Sequence, residues 1–391
     1  MNIVYCTTVL PSSKRTGGEI ATQSFIDALR AAGHCVTVLG YRRPGDKSAP
    51  GLGEVVVGER PIETHHAGLR AYGWLISALG RGRPYSAEKY VSHEYRSRLR
   101  ATVSGSGAQV VVLDHAQMGF LLGDLPDRCP LVYVAHNVER DIYLAQRATA
   151  GRGLKRWLMG REARLIGRME ARLAHCADQT WALTASDREK FVSRVPGCRA
   201  FVCAVPATSI AEPLAVGSSM DWECGLLGTW TWDANAEGLR WFQREVVPLL
   251  SQKWRVAVAG RGASAIVSSP VEALGFVPDA VDFLQSCKVI CIPATSGGGV
   301  QIKTLDAIAS GRPVVATSMA MRGIDSPPPS VRIADTADAF VAALGHLLSP
   351  DRKEMGGAAL AWSRVRRDVF FEQIGHCMEE FGRAKCEGGY G

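Results

Sequence analysis

Nowhere do about 18 apolar residues run together, so the sequence offers no segment of transmembrane-helix length. It has no C-x-x-C pair and no cysteine–histidine spacing of a zinc site. Cysteine itself is not scarce, but its 11 residues are odd in number and scattered. Most lie in apolar segments (Cys6, Cys35, Cys203, Cys287, Cys291) and read as small buried hydrophobes of a reducing compartment, which argues against a disulfide framework or a catalytic thiol. The opening segment MNIVYCTTVLPSS has neither a basic start nor a long apolar stretch, so it reads as a strand and not as a signal peptide. There is no short repeat, no long low-complexity tract and no nucleic-acid recognition motif. Together these absences leave the expectation of a cytoplasmic chain, with no nucleic acid expected as a partner.

What is present fits two domains. The chain has 391 residues, 47% of them apolar, and 41 glycines that cluster where strands would end. The formal charge of +7 is uneven: residues 1–205 carry a net +10, and the remainder a net −3. An anionic membrane surface is therefore a candidate partner of the first half.

Continuous apolar runs of strand length alternate with helix-period segments. NIVYCTT (2–8), VTVLG (36–40), QVVVLD (109–114), LVYVAH (131–136) and QTWAL (179–183) form a first series. Between the first two, Ala21, Phe25, Ala28, Leu29 and Ala32 share one helix face. CGLLG (224–228), RVAVAG (255–260), KVICIP (288–293) and PVVAT (313–317) form a second. Buried strands separated by helices imply an α/β fold of parallel sheets covered on both faces. A polar stretch, Ala207–Glu212, between Pro206 and Pro213 reads as a linker, giving domains 1–207 and 208–391. The last forty residues read as helix, with Trp362, Val365, Val369 and Ile374 spaced to pack and the tail 386–391 loose.

The most informative stretch is TSGGGVQIKTLDAIASGRPVVAT, residues 295–317. Three glycines follow a buried strand and open a helix on which Val300, Thr304, Ala307 and Ile308 face inward. Free backbone N–H groups and the positive helix end make such a place suitable for phosphate. Lys303 adds a full charge for a diphosphate, and Asp306, one turn on, is placed to accept from ribose hydroxyls.

These residues resemble the family 4 glycosyltransferases, retaining enzymes of the GT-B fold. Their signature is a glycine loop, a lysine, an acid and then A-x-A-x-G-x-P-V-V-A-T. GGEIAT (17–22), VAHNVE (134–139), EARLAHCADQTWALTASD (170–187), GTWTWDAN (228–235) and GFVPD (275–279) are similar to further family motifs, in the family's order across roughly residues 1–320.

The resemblance implies two doubly wound Rossmann-like domains facing each other across a cleft, the first for acceptor and the second for a UDP- or GDP-linked sugar. The last helices, about 360–385, would cross back to the first domain. By resemblance Gly17, Gly18, Gly298, Gly299 and Val300 offer backbone to the donor. His136 sits beside the transferred sugar, Lys303 holds the diphosphate and Asp306 the ribose, so that His136, Lys303 and Asp306 are the catalytic candidates. Gly228, Arg261, Gly275 and Phe276 complete the nucleotide site.

No metal or cofactor is implied, and no D-x-D motif is present. The expected acceptor is a lipid-linked or polysaccharide precursor, with the enzyme peripheral on the inner face of the membrane. The sequence departs from the family's E-x7-E pair, which reads here as Gly298 and Asp306.

Other readings follow from single features. GRGASA (260–265) fits the nicotinamide fingerprint G-x-G-x-x-A, but Pro270 interrupts the helix it should open, and the motif follows a second strand instead of a first. A sugar-nucleotide epimerase or hydrolase, or a non-catalytic carbohydrate-binding relative, shares the expected fold. His115 ends a strand and is a lesser candidate, whereas Glu139 and Asp187 read as structural. In helix 154–174, an apolar stripe (Leu158, Leu165, Met169, Leu173) runs beside Arg161, Arg164, Arg168 and Arg172. Trp74, Leu75, Ile76 and Leu79, flanked by Arg70, Arg81 and Arg83, form a second candidate patch for membrane or lipid-linked acceptor.

Overall fold

The computed structural model describes every residue except 14–15, 63–66, 128, 214–219, 350–354 and 388–391. Its strands form two wholly parallel sheets. The first contains β1 (Asn2–Val9), β2 (Cys35–Arg42), β3 (Glu54–Glu59), β4 (Val110–Asp114), β5 (Leu131–Ala135), β6 (Gln179–Ala182) and β7 (Ala200–Val202), in the order β3-β2-β1-β4-β5-β6-β7. The second contains β8 (Trp222–Leu227), β9 (Val256–Ala259), β10 (Val271–Gly275), β11 (Cys287–Ile292), β12 (Val314–Ala316) and β13 (Val331–Ile333), ordered β10-β9-β8-β11-β12-β13.

Each sheet is doubly wound. From its first strand the chain builds outward to one edge, then restarts on the other side of that strand. A crevice opens at such a switch point, beyond the carboxyl ends of β1 and β4 in one sheet and of β8 and β11 in the other. β4, β5 and β12 are buried at every position, as apolar strands between helical layers must be. The edge strands β3, β7, β10 and β13 were not among the strands expected; Glu272, Ala273 and Leu274 of β10, for example, are exposed.

By its internal contacts the chain forms two compact units. One is Met1–Val205 together with the C-terminal stretch from Phe370, and the other is Pro206–Val369. In the first, helix Gly17–Ala31 begins with a reciprocal cap: Thr16 Oγ1 accepts from Glu19 N (3.3 Å) and donates to Glu19 Oε1 (2.9 Å). Glu19, almost fully buried, also pairs with Arg43 at 2.6 Å. Ala21, Phe25, Ala28 and Leu29 are buried as the periodicity predicts, whereas Ala32 is an exposed C-cap. Phe25 stacks on Trp181 of β6 (5.8 Å) and meets Phe370 edge-on (5.2 Å).

In the second unit, Ala207–Glu212 is more than a linker. Ala211 N donates to Ala309 O (2.9 Å), and Ala211 is buried.

Helix Met355–Glu387 ends the described chain. Its packed residues are Leu360, Phe370, Ile374, Cys377, Met378 and Phe381. Val365 and Val369, expected to pack, are more than half exposed, because the buried stripe lies on the opposite side of the helix. Trp362 is fixed through its Nε1, which donates to Ser326 O (2.9 Å). The tail expected to be loose falls, from 388 on, outside the described residues. Cys35, expected to be buried, is exposed at the start of β2. Among the described residues no helix is long and apolar enough to cross a membrane.

Candidate functional site

At the switch point of the first sheet, β4 ends in the wholly buried Asp114. Asp114 Oδ2 accepts from Thr22 Oγ1 (2.6 Å) and Thr7 Oγ1 (3.1 Å), while Oδ1 lies 2.7 Å from His136 Nε2. Burial alone would raise this carboxyl's pKa. The His115 and His136 imidazoles, with the bonds from His136 and Thr22, override it and hold Asp114 at about 2. Asp114 is thus ionised at neutral pH and can only accept. His136 Nε2 must carry the hydrogen between them, which leaves Nδ1 for other chemistry.

His136 itself is buried just beyond β5. His115 stacks on it, with ring centroids 3.9 Å apart. Burial, then the repulsion of His136, bring His115 down to about 4 against the pull of Asp114, so it is neutral at pH 7. Its backbone holds φ +75°, an uncommon conformation for a residue with a side chain, of the kind that clusters at functional sites. A Cβ on Gly18 would lie 3.8 Å from His115 Cε1, so the opening turn of helix Gly17–Ala31 borders this cluster. Ligand atoms of Asp114, His115 and His136 lie within 4.8 Å of one another. The hydrogen bond and ring stack nevertheless arrange them as a carboxylate-oriented histidine with a stacked neighbour.

Along the carboxyl edge of the second sheet, from its switch point at β8 outward to β10, three strand ends present bare backbone. Gly228 follows β8, Gly260 follows β9 and Gly275 ends β10. Gly228 N donates to Ala259 O (3.2 Å), and Gly260 N to Gly275 O (2.6 Å). A Cβ on Gly260 would sit 1.8 Å from Gly228 O, and its φ is +113°, so only glycine fits there. Beside this row, the exposed ring of Phe276 lies 5.4 Å from the Arg261 guanidinium, an open platform for another flat ring.

After β11 comes the glycine loop, with φ +134° at Gly297 and +67° at Gly299, and then helix Ile302–Ala309. Its N-cap, Gln301, makes no side-chain cap bond, and the first turn holds no acid. Among the described residues, the backbone N–H groups of Gly298, Gly299 and Val300 donate to no backbone carbonyl. Lys303 is the second helical residue. Its Nζ donates to Asn235 Oδ1 (2.7 Å), and Asn235 Nδ2 donates to Thr229 O (3.0 Å). Burial lowers Lys303 to about 8, so it stays mostly charged at pH 7. A cation at the positive end of a helix, half-buried and without an acid beside it, is placed against its own electrostatics unless an anion joins it.

Most of the residues singled out in the second half of the sequence gather here: Gly228, Arg261, Gly275 and Phe276 at strand ends, and Gly298, Gly299, Val300 and Lys303 at the loop and helix start. Val300, expected to face inward on the helix, instead precedes it and is half-buried. Asp306 is tied down: it accepts from Thr208 N (2.7 Å) and Thr208 Oγ1 (3.1 Å). Burial raises it to about 6 against those two bonds. Gly17, Gly18 and His136 belong to the first unit.

Asp114, Thr22, Asn235 and Arg322 were not singled out. Arg322 donates to Gly297 O (3.1 Å) and so braces the glycine loop. Asp114 left a signal as an acid closing an otherwise apolar strand, and Thr22 and Asn235 end the segments GGEIAT and GTWTWDAN; Arg322 left none. Glu139 has its pKa raised by burial, and Asp187 receives the Thr184 cap through its N–H.

Two doubly wound parallel sheets, each with polar residues gathered at its switch point, are the architecture of the GT-B fold class. Residues 16–208 match the family model described as glycosyl transferase 4-like domain, and residues 223–350 match glycosyl transferases group 1. The chain belongs to the group 1 glycosyl transferases with a glycosyl transferase 4-like first domain.

Among solved structures, the sucrose-phosphate synthase of Thermosynechococcus elongatus aligns with TM-score 0.67 at 14% identity, covering 99% of each chain. Anabaena HepE in complex with UDP-glucose aligns with TM-score 0.62 at 13% identity, covering 97% of this chain and 100% of its own. The lipopolysaccharide outer core galactosyltransferase WaaB aligns with TM-score 0.61 at 12% identity, covering 97% and 99%. At these identities the likeness is one of fold. No curated protein matches the chain.

Proposed function

We propose that this chain transfers a sugar from a UDP- or GDP-linked donor to a lipid-linked or saccharide acceptor, with retention of configuration and without a metal or bound cofactor. The observation that carries the reading is Lys303, a desolvated cation at an uncapped helix start beside a glycine loop. Departure of a nucleoside diphosphate develops negative charge. Backbone N–H groups of Gly298, Gly299 and Val300, together with Lys303, would stabilise that charge in the transition state. Arg261 and Phe276 offer a surface for the base. The proposed role of Asp306 at the ribose requires release from Thr208 or sharing of its oxygens. In the first unit, His136, oriented by Asp114, is the residue assigned to the reacting sugar.

Family membership supports the reaction class, and a complex with UDP-glucose is recorded for HepE, one of the fold relatives. The basic first half supports a peripheral location at an anionic membrane on the cytoplasmic side.

A thermal-shift panel of UDP, GDP, ADP and NAD, with the sugar conjugates of the first three, tests the proposal. Stabilisation by one nucleoside diphosphate and its sugar is expected. A response to NAD alone would assign the chain to nicotinamide chemistry, and no response to any nucleotide would count against donor binding.

A further inference from the structure

Helices Glu139–Thr149 and Leu154–Cys176 pack as a hairpin in the first unit, and an open groove of about 760 Å³ runs along it. Arg140, Arg147, Arg156, Arg164 and Arg168 line this groove, and no acidic side chain does. None of the five forms an ion pair among the described residues.

The segregation of charge is built in. The two acids of the longer helix, Glu162 and Glu170, are buried on its inner face. Glu162 accepts from Tyr85 N and Ser86 N, both at 2.8 Å, and Glu170 from Glu139 N (2.6 Å) and Arg140 N (3.1 Å). The arginines are left on the outer side. Two of them are seated: a Cβ on Gly167 would lie 2.9 Å from Arg140 Cδ, and one on Gly160 3.2 Å from Arg147 Cδ. Glycines seven residues apart on one helix thus make room for arginines seven apart on its antiparallel neighbour.

The groove is also amphipathic. Trp157 in its wall and Leu154 at the head of the same helix are both more than half exposed. Arg161 donates to Ala78 O (2.6 Å) and Arg83 O (3.1 Å). This ties the hairpin to helix Leu69–Gly80, whose Leu69, Tyr72 and Ile76 are exposed.

We propose that this arginine groove seats the phosphate groups of an anionic lipid bilayer, while Trp157 and Leu154 enter the interfacial layer. Charge complementarity selects phosphate, and the aromatic and aliphatic residues beside it select a lipid over a soluble anion. This deepens the peripheral-membrane part of the function proposed above and rests on it, but it draws on residues separate from the nucleotide site.

The test is cosedimentation with phosphatidylcholine vesicles, with and without phosphatidylglycerol. Each arginine at an anionic surface strengthens binding about fivefold, so the variant Arg156→Gln/Arg164→Gln/Arg168→Gln should bind roughly 100-fold more weakly. Trp157→Ser, made separately, should also weaken binding, and high salt should abolish it. Wild-type protein that ignores phosphatidylglycerol, or a triple variant that binds like wild type, would overturn the proposal. So would binding of heparin or polyphosphate without binding of vesicles, which would give the groove to a soluble polyanion. Nucleoside diphosphate binding is measured on the same preparations. If it persists while vesicle binding fails, only the membrane inference falls; vesicle binding without nucleotide binding removes the transferase reading alone.

Discussion

Replacing Lys303 with methionine keeps the aliphatic stem that packs at the start of helix Ile302–Ala309 and removes the ammonium. The lost contact to a diphosphate is charge-assisted and partly desolvated, worth about 1.5–3 kcal/mol, so the dissociation constant for the matching nucleoside diphosphate should rise roughly 10- to 150-fold. Asn235 keeps its bond to Thr229 O, so the loop after β8 stays braced.

Calorimetric titration at pH 7 gives the affinity, and a melting curve confirms that the variant is folded. The pH profile adds a second signature. Burial puts Lys303 at about 8 in the unliganded protein, so wild-type affinity should weaken as pH rises past 8, and the methionine variant should lack this dependence. Between about 8 and 10.5 the unfolded chain holds this proton more than the folded one, so wild-type stability should rise with pH across that window relative to the variant. An unchanged dissociation constant in a folded variant, or affinity flat through pH 9 in wild type, would refute the placement of Lys303 against phosphate.

Other outcomes follow from the geometry. Asp114, depressed from 3.8 to about 2, contributes about 2 kcal/mol of stability that is present above pH 4 and lost as pH falls through 2; Asp114→Asn should flatten that part of the acid-unfolding curve and lower kcat by disorienting His136. A curve identical to wild type would remove the carboxylate's role. Gly260→Ala forces a Cβ into Gly228 O at a positive φ, so urea unfolding should show a loss of about 4 kcal/mol or more, and an unchanged midpoint would contradict the close approach. Phe25→Ala empties a site packed by Trp181 and Phe370 and should cost about 3–5 kcal/mol in the same assay.

Central strands, and the glycine loop and helix start that carry Lys303, could be read from the sequence because each leaves a local mark: an apolar run, or glycines opening a helix. Among the edge strands β3 carries such a run, residues 55–57, whereas β10 carries none. β10 exposes Glu272 to Leu274, and its pairing with β9 is a matter of backbone, not of composition. Long-range partners were equally hidden. Asp306 looked open in sequence, but Thr208, 98 residues earlier, occupies its oxygens. Asp114 became significant only when the sheet order set β4 beside β1 and β5 and delivered Thr7 and His136 to it. Spacing marked Val365 and Val369 as packable, yet a helix with apolar residues on more than one side does not announce which side finds a partner.

The most direct test of the account is to incubate the protein with a nucleotide sugar carrying a labelled sugar and with lipid and saccharide extracts, then follow both the label and the free nucleoside diphosphate. Transfer of label into an acceptor with equal release of nucleoside diphosphate, lost in Lys303→Met, is the predicted result. Donor that binds but stays intact with every acceptor fraction would contradict it and mark the chain as a binding protein.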